Sequence, residues 1–188
     1  RLSLIVAFGF GILALFSYTS INFFNGLEPH QQERIKVWLT PSQCDPRGSL
    51  YNILQSKVAI GAGGFFGKGY LNGNMTKLKF VPEQSTDFIF SSIGEEQGFL
   101  GSITVIILFF ILIFRIVLMS QRSEKKFFSN YALCVAGLLF VHVLINIGMT
   151  MGLVPIIGIP LPFISKGGSA LIGFSLMIGV LLKMQRKA

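Results

Sequence analysis

Residues 99–114 read FLGSITVIILFFILIF and contain no charged side chain. Other long stretches are equally free of formal charge, namely 2–24, 127–165 and 167–182. A helix needs roughly 20 apolar residues to cross the hydrocarbon core of a bilayer. The sequence therefore predicts four membrane-spanning helices, at about 2–24, 93–118, 129–150 and 164–183.

The composition agrees with a membrane protein. Hydrophobic residues make up 52% of the 188 residues and charged residues only 13%, about half the charged fraction of a soluble domain. Four apolar helices in so short a chain exceed what one soluble core can bury. The predicted fold class is an all-α integral membrane protein with a large loop over 25–92. Because the chain begins with Arg1 rather than Met, we expect it to be part of a longer protein.

The net charge of +8 is distributed unevenly between the flanks of these spans. The flanks on one side of the membrane are strongly basic and have Glu124 as their single acid, whereas those on the other side are nearly neutral. The basic residues of the first side are Arg1, Arg115, Arg122, Lys125, Lys126, Lys183, Arg186 and Lys187. Short basic flanks stay in the cytoplasm. The pattern predicts cytoplasmic N- and C-terminal ends, an extracytoplasmic 25–92 loop and no nucleic-acid partner.

The 25–92 loop is predicted to begin with irregular backbone, because three prolines interrupt it between residues 29 and 46. Ser49 can then cap a short helix over 50–60 that Gly61 ends. The apolar residues of this helix share one face. It is too short to span, so it either lies on the outer membrane surface or packs on a partner domain.

A glycine-rich segment follows at 61–74, GAGGFFGKGYLNGN. It fits neither the Walker phosphate loop nor the dinucleotide-binding pattern, because the glycines stand at the wrong positions. Two interpretations remain. The segment is a flexible turn that carries Lys68, or its backbone amides form a concave turn that meets an anion.

Asp87 lies where the loop enters the second span. Pro82 blocks helix before it, and Ser85 or Thr86 can act as the N-cap, which would place Asp87 in the first helical turn. A carboxylate there is favoured by the helix dipole. Residue type and position alone leave Asp87 open between this structural role and a catalytic one.

Polar residues interrupt the apolar spans at two places. Glu95 and Glu96 follow Asp87 by about two helical turns, and they either are structural partners of a span outside this chain or line the cavity. In the third span His142, Asn146 and Thr150 share one face, which indicates a partner helix or a wet cavity. The irregular stretch that follows, GLVPIIGIPLPFISKGGSA, is predicted to form a re-entrant or interfacial turn.

Three blocks of the chain together resemble the SEDS family, the shape, elongation, division and sporulation proteins that include RodA and FtsW. The blocks are YNILQSKVAIGAGGFFGKG, FVPEQSTDFIFSSIGEEQGFLG and NIGMTMGLVPIIGIPLPFISKGGSA. The first block is more similar to the RodA branch. The resemblance implies a ten-span fold of which this chain carries the last four spans. It departs from the family's pattern at Lys79, Gln97, Lys166 and Ala170.

The resemblance also implies a function and a site. Such proteins polymerise lipid II, the undecaprenyl-diphosphate-linked disaccharide pentapeptide, in the bacterial cytoplasmic membrane, together with a class B penicillin-binding protein. The family's essential aspartate matches Asp87 in PEQSTDF, and the same motif carries Glu83 and Thr86. Ser165 and Lys166 lie in the third block.

The chemistry expected of Asp87 is that of a general base which takes the proton of an attacking sugar hydroxyl. Cationic groups stabilise the charge that develops on the departing diphosphate, and the candidates are Lys57, Lys68, Lys77 and Lys166. A divalent cation bound by Asp87 is an alternative, so a cofactor is left open. Two other functions compete with the enzyme: a flippase for the lipid-linked precursor, and a scaffold that activates the penicillin-binding protein.

Overall fold

The computed structural model describes residues 26–44 and 48–185, and the predicted span at 2–24 lies outside them. The regular structure of the described residues is helical. Its elements are α1 Pro29–Leu39, a short 3-10 helix Pro41–Gln43, α2 Ser49–Gly63, α3 Asn74–Lys77, α4 Ile89–Arg122, α5 Lys126–Thr150 and α6 Gly168–Gln185.

Within the described residues, α4, α5 and α6 are long and apolar enough to cross a bilayer. They coincide with the predicted spans at 93–118, 129–150 and 164–183, although their ends differ. The last helix begins at Gly168 rather than near 164, because Leu161 to Ser165 form a turn closed by a bond from Ser165 N to Leu161 O (3.0 Å). The all-α membrane fold expected from the sequence is confirmed.

Apolar contacts hold these three helices together, and α5 packs against both of the others. Their shared core consists of Ile116, Phe128, Ala132, Val135, Ala136, Leu139, Phe174 and Leu181. Other large side chains of α4 are exposed, as Leu108 (60%) and Phe110 (67%) illustrate. Such a surface suits contact with lipid tails or with further membrane helices.

The helix α4 is broken at Gly98, where φ is 67° and ψ is −159°. The break frees backbone amides that an intact helix would bond internally. Phe99 N donates instead to Gly64 O (2.9 Å), and Leu100 N donates to Phe65 O (3.2 Å). The glycine-rich loop thereby replaces the missing turn of helix. Irregular backbone near a membrane is tolerated where protein covers it in this way.

The carbonyls on the other side of the break are bonded by the same loop. Lys68 N donates to Glu95 O (3.0 Å) and Gly69 N donates to Glu96 O (2.9 Å). These amides are occupied by α4, so the suggestion that they bind an anion is not supported. Four backbone bonds attach the loop that carries Lys68 to the helix, which does not favour the alternative of a flexible turn.

A buried carboxylate adds to this attachment. Glu95 is fully buried, and its Oε1 accepts bonds from Lys68 Nζ (2.9 Å) and Met75 N (3.0 Å). Its Oε2 accepts bonds from Thr76 N (2.8 Å) and Thr76 Oγ1 (2.7 Å). A buried charge is tolerated when it is paired and hydrogen-bonded. Glu95 therefore has a structural role, but its partners are Lys68, Met75 and Thr76 of this chain rather than a further span.

Two expectations for the start of the long loop are wrong. The stretch after residue 28 is helical, because proline is well tolerated at the first position of a helix, and α1 begins with Pro29. Gly48, rather than Ser49, occupies the N-cap of α2, and the helix continues past Gly61 to end at Gly63. The helix α2 contacts both α4 and α5, and its buried Ser56 donates to Thr150 O of α5 (2.9 Å).

The molecule thus has two regions. The helix bundle comprises α4 from Phe99 onward, α5 and α6. The polar cap comprises the described residues 26–44, 48–98 and 151–167. A second apolar cluster, formed by Val37, Leu50, Ile53, Ala59, Val81, Phe88 and Ile156, lies inside the polar cap. Asp87 lies in the cap directly before α4.

Candidate functional site

The backbone around Asp87 forms a tight turn rather than the first turn of a helix. Glu83 has a positive φ of 52°, and its carbonyl accepts bonds from the amides of Thr86 (3.2 Å), Asp87 (3.1 Å) and Phe88 (3.2 Å). Because one oxygen captures these amides, Phe88 becomes the N-cap of α4. The prediction that Ser85 or Thr86 caps the helix is wrong, and Asp87 lies outside its first turn.

Three consecutive carbonyls of this turn are bonded from a different part of the chain. The bonds run from Lys166 N to Ser85 O at 2.8 Å, from Ser165 Oγ to Thr86 O at 2.6 Å and from Asn146 Nδ2 to Asp87 O at 2.9 Å. The Asp87 backbone is therefore fixed by its own turn on one side and by α5 and the 151–167 loop on the other.

The 151–167 loop also contacts the Asp87 side chain. Gly158 has a φ of +83°, and a Cβ added to it would lie 3.1 Å from Asp87 Oδ2, closer than most real Cβ contacts. A glycine here allows both the left-handed conformation and the close approach of the carboxylate. Asn146 Nδ2 holds the next residue of the loop through Ile159 O (2.8 Å).

The helix α1 supports this loop from outside. Arg34 Nη1 donates to Ile156 O and to Ile157 O, each at 3.3 Å. Trp38 Nε1 donates to Leu153 O at 3.0 Å. The described part of the 25–92 loop thus covers the turn that lies against Asp87, and it brings a guanidinium group to the site.

The electrostatics of the site raise the pKa of Asp87. Burial raises the pKa of Asp87 above its ordinary value of 3.8, the nearby Glu83 carboxylate raises it further, and Arg34 lowers it. Within the described residues, no hydrogen bond or ion pair reaches the Asp87 carboxylate. The side chain is half-buried. A carboxyl group with a raised pKa and a free oxygen is suited to accept a proton.

The other predicted polar residues of the site have definite partners. Thr86 Oγ1 lies 3.2 Å from Glu83 Oε2 and 3.2 Å from Glu83 O. The Ser165 hydroxyl donates to Thr86 O and accepts a bond from Leu161 N (2.8 Å). The structure brings these residues together with Asp87. Ser165 uses its hydroxyl to connect two backbone segments.

Two of the predicted lysines, Lys57 and Lys166, are associated with the 151–167 loop. Lys166 is exposed, and its amide is bonded to the turn that carries Asp87. Lys57 is exposed on α2 and reaches the 151–167 loop, since a Cβ on Gly152 would lie 2.8 Å from its Nζ. No ion pair joins either lysine to Asp87 among the described residues.

The remaining two lysines belong to the glycine-rich side of the cap. Lys68 forms an ion pair with Glu95, with Nζ and Oε1 2.9 Å apart. Lys77 is exposed at the end of α3. A role for Lys68 at a diphosphate would compete with this ion pair.

The described residues contain no group of three or more His, Cys, Asp and Glu side chains that could hold a metal ion. Asp87 and Glu83 are the two carboxylates of the turn and interact electrostatically. Binding of a divalent cation at Asp87 therefore stays a prediction that needs ligands from elsewhere, such as substrate oxygens or water.

Asn146 is a site residue whose role the sequence did not identify. It was singled out only as one of three polar residues on one face of the third span. Of the other two, His142 packs edge-on against Phe174 with ring centroids 5.1 Å apart, and the Thr150 carbonyl accepts a bond from Ser56 Oγ (2.9 Å). The polar side-chain atoms of these two residues bond within α5 itself, because His142 Nδ1 lies 2.9 Å from Leu138 O and Thr150 Oγ1 donates to Ile147 O (2.8 Å). The predicted polar contact with a partner helix is therefore not observed for them among the described residues, whereas Asn146 reaches the candidate site.

These features define a class of protein: a multi-pass membrane protein whose polar cap presents a conformationally fixed aspartate beside a helix bundle. Comparison with known proteins identifies the family. Residues 2–188 match the family of cell cycle proteins that comprises FtsW, RodA and SpoVE, and the chain belongs to this family. The resemblance found from the three sequence blocks is confirmed.

Individual relatives agree with this family. The peptidoglycan glycosyltransferase MrdB of Escherichia coli strain K12 is 38% identical over 176 residues, which cover 94% of this chain and 47% of the relative. The peptidoglycan glycosyltransferase RodA of Treponema pallidum strain Nichols is 35% identical over 182 residues, which cover 97% of this chain and 42% of the relative. The chain therefore spans a little under half the length of these relatives.

A solved structure has the same fold. It belongs to work on the structural coordination of polymerization and crosslinking by a peptidoglycan synthase complex. The match has a TM-score of 0.66 and 27% sequence identity, and it covers 94% of this chain and 48% of the other.

Proposed function

We propose that the intact protein is a peptidoglycan glycosyltransferase that polymerises lipid II, with Asp87 as the general base. The observation that carries this proposal is the state of Asp87: its backbone is fixed from two sides, its pKa is raised and its carboxylate is unpaired among the described residues. The names of the relatives support the reaction class.

The reaction joins two sugars. A hydroxyl oxygen of one substrate attacks the anomeric carbon of the other, and the bond from that carbon to the lipid diphosphate breaks. The diphosphate leaves with the electron pair, and Asp87 takes the hydroxyl proton. Of the candidate cations for the diphosphate, the exposed Lys57, Lys77 and Lys166 are favoured over Lys68, because Lys68 is paired with Glu95.

The location follows from the chemistry of the substrate. A prenyl tail keeps the diphosphate at the membrane surface, and Asp87 lies directly before the membrane helix α4. We place the polar cap on the extracytoplasmic side of the bacterial cytoplasmic membrane and both chain ends in the cytoplasm, as the basic flanks indicate. A class B penicillin-binding protein is the proposed partner, and the synthase complex in the matching structure agrees with it.

Replacing Asp87 with Asn in the intact protein tests the function. The purified variant should polymerise labelled lipid II in detergent about 10²–10⁴ times more slowly than the wild type, because general-base assistance is lost. Glu124→Gln makes the same chemical change at the far end of α4 and should leave the rate unchanged. A folded Asp87→Asn variant with near-normal polymerisation would disprove the assignment.

The same assay separates the enzyme from the two competing functions. A flippase or a scaffold would leave the lipid II monomer unchanged when no membrane and no partner are present. Polymer formed by the wild-type protein alone therefore supports the glycosyltransferase, and monomer alone contradicts it.

A further inference from the structure

We propose that Asn146 is the positioning residue of the base: its one amide group ties the Asp87 backbone to the loop against which the Asp87 carboxylate lies. This inference rests on the proposed function, in which Asp87 takes the proton. Asn146 does not touch the reacting atoms. It acts through the two backbone carbonyls that it holds, which are 59 and 13 residues away along the chain.

The geometry uses both hydrogens of the Asn146 amide. Nδ2 lies 2.9 Å from Asp87 O and 2.8 Å from Ile159 O, and the side chain is fully buried. A serine or threonine hydroxyl at this position would supply a single donor. Joining two carbonyls with one side chain requires two donor hydrogens, and the asparagine amide provides both in a short side chain.

The orientation of this amide is fixed by its partners. Both partners are carbonyl oxygens, which only accept, so a reversed amide would place its own oxygen against them. In the orientation present, Oδ1 is buried and has no hydrogen-bond partner among the described residues. An unsatisfied buried acceptor destabilises a fold. The asparagine is thus a poor choice for stability alone, which is expected at a functional position.

By holding these two carbonyls, Asn146 fixes the distance between Asp87 and the 151–167 loop. Ile159 follows Gly158, and Gly158 is the residue that the Asp87 carboxylate approaches, with only 3.1 Å between Oδ2 and the position of an added Cβ. If the amide is lost, the 151–167 loop and the Asp87 backbone can move apart. The carboxylate then no longer points in one direction toward an incoming hydroxyl. A displacement of about 1 Å is enough to slow a reaction about a hundredfold.

The test compares Asn146→Leu with Ser56→Ala in the intact protein. Leucine has nearly the shape of asparagine but no donors. Ser56 is equally buried and donates to α5 at Thr150 O (2.9 Å), so its loss removes a comparable bond without touching Asp87. For Asn146→Leu we expect kcat for lipid II polymerisation to fall about a hundredfold with KM changed by about twofold or less. For Ser56→Ala we expect kcat per folded molecule to be unchanged.

A second pair of variants keeps the inference testable if Asn146→Leu does not fold. Gly158→Ala adds a methyl group beside the carboxylate at a φ of +83°. Gly64→Ala also places alanine at a positive φ, +59°, where no atom lies within 4 Å of the added Cβ. Both variants strain the backbone, and only Gly158→Ala crowds Asp87. Gly158→Ala should lower kcat at least about tenfold, and Gly64→Ala by about twofold or less.

The outcomes separate this inference from the proposed function. Retained activity in Asp87→Asn would overturn the base itself. An inactive Asp87→Asn variant together with wild-type kcat in folded Asn146→Leu would overturn only the positioning role. Equal losses of kcat in Gly158→Ala and Gly64→Ala would also overturn only that role. Adding Asn146→Leu to Asp87→Asn should cause no further loss, because a positioning residue has no effect once the base is absent.

Discussion

The polar cap and the helix bundle are held together by different forces. The bundle relies on apolar side chains such as Leu139 and Leu181, and its large exposed side chains face outward. The cap relies on buried polar groups, among them Glu95 and Ser165, that connect segments distant in sequence, and Asn146 of α5 bonds to it in the same way. Packing of apolar helices tolerates many sequences, whereas a polar network needs each partner in place. The cap should therefore be the sensitive region and the bundle the tolerant one.

The largest effect on stability is expected from Glu95→Gln. This change leaves Lys68 facing a neutral group and weakens the bonds from Met75 and Thr76. Breaking one partner of a buried ion pair typically costs about 3–5 kcal/mol. Because Lys68 is partly exposed, we expect the lower end of that range in equilibrium unfolding of the intact protein in detergent. Glu96→Gln is the adjacent control, and equal destabilisation by both variants would contradict the assignment.

Replacing glycine with alanine should change the stability in opposite directions in the cap and in the bundle. At Gly98 the φ of +67° and contact with Gly67 N leave no room for a Cβ, so Gly98→Ala should destabilise by about 1–3 kcal/mol or more. At Gly137, inside the regular helix α5, nothing lies within 4 Å of an added Cβ. Gly137→Ala should therefore stabilise by up to about 1 kcal/mol. Thermal unfolding of both variants measures the difference, and the same sign for both would remove the contrast.

The pH dependence of the reaction tests the charges of the cap. Activity needs the deprotonated base, so the acidic limb of the profile should lie above pH 3.8, the ordinary pKa of an aspartate. Glu83→Gln removes a repulsion and should move the limb to lower pH. Arg34→Gln removes an attraction and should move it to higher pH by a smaller amount. Arg34→Lys keeps the charge and should leave the limb near its wild-type position.

The same pKa shift has a consequence for stability with a definite sign. The pKa of Asp87 is raised by folding, so the folded state binds the proton more tightly than the unfolded state. The associated stability is present below pH 3.8 and is lost as the pH rises through the raised pKa. Asp87→Asn should flatten this part of the profile in unfolding experiments. In the activity profile, an acidic limb that moves in the same direction in Glu83→Gln and in Arg34→Gln would contradict the assignment of opposite electrostatic effects to these two residues.

The smallest effect is expected on the exposed face of the bundle. Phe110 is 67% exposed on α4 and lies outside the apolar core. Phe110→Leu should change the free energy of unfolding by about 0.5 kcal/mol or less, as is usual for exposed positions. A larger loss in the intact protein would indicate that further membrane helices, rather than lipid, cover this face.

The sequence predicted the bundle well because its evidence is local. An uncharged stretch such as 99–114 identifies a membrane helix without any knowledge of its neighbours. Helix ends were less accurate. The start of α4 depends on one carbonyl, that of Glu83, which captures the amides that a capping residue would otherwise have bonded.

The candidate site could be predicted only in part. Asp87 was identified because its motif resembles a family pattern. The bond from Asn146 to the Asp87 carbonyl joins residues 59 positions apart, and nothing in either segment indicates that they meet. The same is true of Lys68, whose pairing with Glu95 depends on how the glycine-rich loop folds back onto α4. Contacts of this kind arise from tertiary structure.

The break at Gly98 also restricts the length of the chain near it. Surface loops commonly accept insertions and deletions. The stretch between Gly64 and Gly69 is different, because its backbone bonds to α4 on both sides of the break. One added or missing residue there would take the bonds of one side out of register while those of the other remained. Length variation in this family should accordingly be found elsewhere in the cap, and this six-residue stretch should keep its size.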